Sequence, residues 1–86
     1  RETPEAEIEP APDNVLVQQE HRERVHETLR TLPAHYRQVL VLKYAEGLPV
    51  EDIAQIMRRT FKSTESLLTR ARSAFRESFA AMAQVG

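Results

Sequence analysis

Eighty-six residues hold one small domain at most. The chain has no cysteine, so it carries neither a disulfide framework nor a thiolate site. It has no run of eighteen apolar residues, so no membrane span is expected, and no secretory signal is visible, while the absence of cysteine suits the cytoplasmic location that is expected. The net charge of −1 conceals an asymmetry. Residues 1–57 carry six Lys/Arg against eleven Asp/Glu, a balance of −5, whereas residues 58–79 carry six Lys/Arg against Glu65 and Glu77, a balance of +4. A local basic stripe binds phosphate even on a neutral chain, because the nearby field outweighs the total. The plainer reading of such a stripe is a solvated helix face.

Residues 1–12, RETPEAEIEPAP, hold three Pro, four Glu and a single large apolar side chain, Ile8. They bury too little surface to offset ordering entropy and read as an acidic linker. The first residue is Arg rather than Met, from which we expect a piece of a longer protein. Asp13 or Asn14 is placed to cap a first helix that runs to about Thr31, with Val25, Leu29 and Leu32 as its apolar stripe. The N-terminal half of that helix, QQEHRER, is polar almost all round and is expected to project from the body.

Pro33 starts a second helix, from about Ala34 to Glu46, and Gly47 stops it. Tyr36, Val39, Leu40, Val41, Leu42 and Tyr44 give this helix such broad apolar coverage that burial on most sides is expected. A third helix over about Val50 to Met57 is expected to bury Ile53, Ala54, Ile56 and Met57, with Glu51 and Asp52 at its positive end. After Thr60, a good N-cap, a fourth helix carries Thr64, Leu68, Ala71, Phe75 and Phe79 or Met82 on its inner side. No strand alternation is present. The expected fold is all-α: a four-helix domain over residues 13–82 with a C-terminal helix-turn-helix, winged-helix-like without the wing, and a tail at residues 83–86.

The last two helices are separated by a short polar turn, a geometry that presents the second of them to a DNA groove. If Leu68, Ala71 and Phe75 face the core, then Lys62, Ser63, Ser66, Leu67 and Arg70 lie on the exposed side. Arg offers a forked donor to guanine or phosphate, and Ser and Thr hydroxyls reach base edges or backbone. Arg58 and Arg59 in the turn are placed to grip flanking phosphates. The helix start at Thr60 adds free backbone N–H groups. Plainer readings stand beside these: Glu65 pairing locally with Arg58 or Thr69, and Arg72 and Arg76 lying over the core. His21, His26 and His35 lack the spacing of a metal site. No nucleophile elbow or Gly-rich phosphate loop accompanies the Ser, His and Asp residues. Neither an enzyme nor a cofactor is expected.

The run TLPAHYRQVLVLKYAEGLPVEDIAQIM, followed by KSTESLLTRARSAFR, resembles region 4 of bacterial sigma factors, most closely the extracytoplasmic-function class. The matching elements are a Leu-Pro helix start, R-x-V-L-x-L-x-Y, E-G-L before the turn, E-x-I-A, and S-L-L-x-R-A-R, covering roughly residues 22–79. The resemblance implies recognition of the minus-35 promoter element in the major groove, docking on the flap of core RNA polymerase, and capture by an anti-sigma protein. It implies that Ser66 and Arg70 belong to the DNA-contacting face. Lys62, Ser63 and Thr64 match the recognition-helix start, and Lys43 a basic position suited to phosphate. With Arg58, Arg59, Thr60 and Leu67, these form the candidate DNA-binding set. The docked polymerase or anti-sigma helix is expected on the first two helices and the apolar side of the third.

The chain departs from the pattern at four positions. Arg58 stands where such turns often have Gly, and is strained if φ is positive. Pro49 replaces the usual Ser/Thr cap, and Glu65 and Leu67 stand where many relatives have Arg or Lys. Two other readings remain open at this point. One is a sigma-like decoy that binds an anti-sigma protein, although a decoy has no need of a basic face. The other is the DNA-binding domain of a different transcription regulator.

Overall fold

The computed structural model describes the backbone of residues 12–85 and the side chains of residues 18–82. The acidic linker expected over residues 1–12 lies outside the described residues, except for Pro12. Four helices follow: α1 (Pro12–Arg30), α2 (Ala34–Leu40), α3 (Val50–Met57) and α4 (Phe61–Val85). Among the described residues there is no strand. The backbone of residues 83–85, expected to be a tail, continues α4.

The core gathers Leu32, Val39, Leu40, Ile53, Leu67, Leu68 and Ala71, with Leu29, Tyr36, Val50, Met57 and Phe75 packed against it. The expected meeting of Leu40, Ile53 and Leu68 is therefore present, with Phe75 at its margin. Leu67 belongs to the same core and is completely inaccessible. Helix geometry explains why. Thr64, Leu67, Leu68 and Ala71 follow an i, i+3, i+4, i+7 spacing, a wider stripe than one through Leu68, Ala71 and Phe75 alone. The buried hydroxyls of Thr28 and Thr64 donate back along their own helices, to the Arg24 carbonyl at 2.7 Å and the Thr60 carbonyl at 2.8 Å. No buried side-chain N or O among the described residues lacks a partner.

Three further expectations change. Ile56 is 52% exposed, because it lies outside the Ile53–Ala54–Met57 face of α3. Tyr44 is 61% exposed, so the second helix is not buried on most sides. The polar half of α1 stays exposed over residues 18–24, yet it does not stand clear of the body, because His21 and Arg24 reach α4. The His21 ring meets Phe79 edge-on at 5.7 Å, and the Arg24 guanidinium sits 5.6 Å from the same ring. Further along, Thr31 and Ser78 hydroxyls are 2.8 Å apart. Arg37 donates to the Leu32 carbonyl at 3.1 Å and the Leu29 carbonyl at 3.4 Å, satisfying acceptors left over where α1 ends.

The second helix does not stay α-helical. Val41–Ala45 form a π-helical turn in which Glu46 N–H donates to the Val41 carbonyl at 3.0 Å. Leu48 N–H then reaches the Leu42 carbonyl at 3.1 Å, across Gly47 at φ 73°. This positive φ is the reason for glycine there. At the end of α3 the same conformation is held by a residue with a side chain: Arg58 has φ 58° and ψ 49°. Arg58 N–H donates to the Gln55 carbonyl at 3.2 Å and Arg59 N–H to the Ala54 carbonyl at 2.9 Å, the two bonds of a Schellman ending. α3 begins at Pro49, which makes no side-chain cap, whereas Thr60 Oγ1 accepts from Ser63 N–H at 3.0 Å and caps α4.

These contacts set two expectations for stability. Leu67→Ala should destabilise the domain by about 2–5 kcal/mol in urea unfolding; a loss below about 1 kcal/mol would place Leu67 outside the core. Arg58→Gly should raise stability by up to about 1 kcal/mol, because left-handed backbone costs an L-residue about 1–2 kcal/mol and glycine's extra unfolded-state freedom offsets only part of it. An unchanged or lower urea midpoint would show that the turn is unstrained.

Candidate nucleic-acid interface

Burial fixes which side of α4 is free. Thr64, Leu67, Leu68 and Ala71 face inward, and Lys62, Glu65, Ser66, Thr69, Arg70 and Ser73 face out. The outward set is itself helical in spacing: 62, 66, 69 and 73 on one line, 65 and 69 beside it. Two members of the candidate DNA-binding set are corrected on this ground. Leu67 and Thr64 are both fully buried, so neither reaches a ligand on the outer face. Ser63 is half-buried and accepts a hydrogen bond from Arg59 Nη1 at 2.8 Å. Arg59 is thereby tethered to the first turn of α4, while Arg58 and Thr60 are exposed around the turn.

The outward face of α4 borders a hollow of about 460 Å³. It is lined by Lys43 from the π turn, Val50 from the start of α3, and Lys62, Glu65, Ser66, Leu68, Thr69 and Arg72 from α4. Three separate parts of the chain meet at this hollow, where Lys43, Lys62 and Ser66 of the candidate set come together. Arg70 is exposed on the same helix but does not line the hollow. Thr69 and Arg72 join the site although the sequence reading gives neither a place in it. For Thr69 the signal lies in the spacing, three residues beyond Ser66 and seven beyond Lys62. Among the described residues the one ion pair is Arg30–Glu27, on α1, so the cations of the hollow have no carboxylate partner. Three cations and one carboxylate, Glu65, with hydroxyls between them, form a surface that attracts a polyanion.

A second hollow of about 440 Å³ lies on another side of the π turn. Its walls are apolar: Val25 and Leu29 of α1, Leu40 of α2, Val41, Tyr44 and Ala45 of the π turn, and Phe75 of α4, with Arg72 and Arg76 also lining it. No α3 residue lines it, which differs from the docking surface expected on the first three helices. Consecutive residues of the π turn therefore serve different hollows, Lys43 the polar one and Tyr44 the apolar one. Among the described residues no group of acidic, His or Cys side chains is placed to hold a metal, and no helix is long and apolar enough to cross a membrane.

Residues 22–75 match the family model described as "Sigma-70, region 4". The chain is also similar to the RNA polymerase sigma-H factor of Pseudomonas aeruginosa, with 36% identity over 64 residues, 74% of this chain and 33% of that protein. It is similar to the ECF RNA polymerase sigma-E factors of Escherichia coli K12 and Salmonella typhimurium LT2, with 35% identity over 63 residues, 73% of this chain and 33% of each. The chain spans about a third of the length of these curated relatives. The matched segment contains α2, the π turn, α3 and the N-terminal half of α4, all the elements that build the polar hollow. The chain belongs to the sigma-70 region 4 family.

Proposed function

We propose that this domain recognises the minus-35 element of a promoter, with α4 in the major groove, and so directs RNA polymerase to its start site. The observation that carries the reading is the polar hollow, where Lys43, Lys62, Ser66 and Thr69 converge beside the outward face of α4. Phosphate contacts fix register, and contacts from the exposed helix face supply sequence preference. Lys43, Arg58, Arg59 and Lys62 act on phosphates. Ser66 and Arg70, with Thr69 and then Glu65 to one side of them on the exposed face, stand toward the bases. Glu65 accepts from a cytosine amino group and repels phosphate, so the preferred element differs from that of relatives with a basic residue there.

The apolar groove supports docking of a helix from the flap of core polymerase or from an anti-sigma protein. Val25, Leu29, Tyr44 and Phe75 are the side chains such a helix would cover. A domain with these partners works in the cytoplasm. It binds and positions, and is not an enzyme.

The test uses the full-length sigma factor that carries this domain, assembled with core polymerase. Four phosphate contacts give a slope of log affinity against log salt near about −3.6, and each of Lys43→Ala and Lys62→Ala should flatten it by about 0.9 on every sequence. Slopes that both variants leave intact would reject the reading in favour of a decoy that never touches DNA. Arg70→Ala should cost about 1–3 kcal/mol and relax preference at one or two base pairs if it reads a base. Glu65→Arg should change the sequence selected from a random pool; an unchanged selection would mean that Glu65 does not face the bases.

A further inference from the structure

Arg72 lines both hollows, and the sequence alone assigns it no more than a place over the core. We propose that Arg72 is a further phosphate-contacting residue of the DNA interface, and that Tyr44 is the residue that positions it. The inference rests on the promoter-DNA reading above.

Arg72 Nε donates to the Tyr44 hydroxyl at 2.7 Å, and the guanidinium carbon lies 6.0 Å from the centre of the Tyr44 ring. One donor of five is thereby used. The two Nη groups have no protein acceptor among the described residues. Arg72 as a whole is half-buried and shares its hollow with Lys43 and Lys62. Three cations around one concavity repel one another until an anion enters it. Glu65 is the single carboxylate lining that hollow, and none of the three is paired with it.

The arrangement suits a phosphate better than a base. An arginine fork matches two phosphate oxygens at once, and a lysine supplies a point charge to a third. Holding Nε on Tyr44 fixes the plane of the fork before the ligand arrives, which reduces the freedom lost on binding. Within the π turn, Lys43 stands against the polar hollow and the next residue, Tyr44, against Arg72.

The experiment measures DNA affinity against potassium chloride concentration for the full-length protein with core polymerase. The variants are Arg72→Gln, Arg72→Lys, Tyr44→Phe and the Arg72→Gln/Tyr44→Phe pair, with Lys62→Ala as reference. Arg72→Gln should lower affinity about three- to tenfold on every sequence and flatten the slope by about 0.9. Arg72→Lys keeps the charge, and should keep the slope while losing affinity. Tyr44→Phe should lower affinity about threefold with the slope unchanged. The double variant should bind as Arg72→Gln alone, because a positioning residue has nothing left to position. An unchanged slope for Arg72→Gln beside a flattened one for Lys62→Ala would overturn the proposal and leave the promoter reading intact. Unchanged slopes for both would remove the promoter reading itself. Loss of polymerase binding with DNA affinity preserved would assign Arg72 to a protein partner, and would also overturn the proposal.

Discussion

Leu67, Leu68 and Ala71 occupy adjacent turns of α4, and around them pack Leu32 from beyond α1, Val39 and Leu40 from α2, and Ile53 from α3. A domain this small has one such cluster and no second core to support it. The orientation of every polar group follows from it. Rotating α4 by one residue, so that Ser66 and Arg70 took the places of Leu67 and Ala71, would bury those polar groups and expose Leu68, so the seating of these apolar side chains is also what aims the hydroxyls and cations outward. Stability and recognition are therefore set by the same contacts. The near-neutral total charge matters less than this aim, since a cationic hollow faces its ligand directly.

The all-α fold, the bounds of α3, the stop at Gly47 and the Thr60 cap are legible in the sequence because each rests on local chemistry. Arg58 is legible for the same reason: one residue at one turn position must take a left-handed backbone, and it does, with φ 58°. What is not legible depends on phase or on packing at a distance. The segment VLVLKYA is apolar at nearly every spacing, so it contains nothing that separates an α-turn from a π-turn. Leu67 is misplaced by the phase chosen for α4, which takes Leu68, Ala71 and Phe75 alone as the inner stripe. An i, i+3, i+4 stripe through Thr64, Leu67 and Leu68 fits the sequence as well as one that omits Leu67. Thr69 is readable by spacing but carries no charge to draw attention. The packing of His21 on Phe79 joins residues far apart in sequence, and no local pattern announces it.

Two hollows on either side of one π turn divide the surface by chemistry. One is walled by cations and hydroxyls, the other by aliphatic and aromatic carbon. Such wide turns recur at functional sites, and here one lies where the two hollows meet. Lys43 and Tyr44 are neighbours in sequence yet line different hollows.

α4 runs unbroken for 25 residues, a rod of about 37 Å. Its two ends have different attachments. Near Ala71 it is gripped by the core, beyond Phe75 by α1, and before Leu67 its outer side is free. A rod held at its middle is a lever. About 15 Å separates Ala71 from the start of the helix, so tilting the α1 end by about 5° carries Phe61 and Lys62 through about 1.3 Å in the opposite sense. A shift of that size is comparable to the tolerance of a hydrogen bond. The packing of α1 on the far end of the helix thus shares in setting where the exposed cations stand, with no contact between the two ends required.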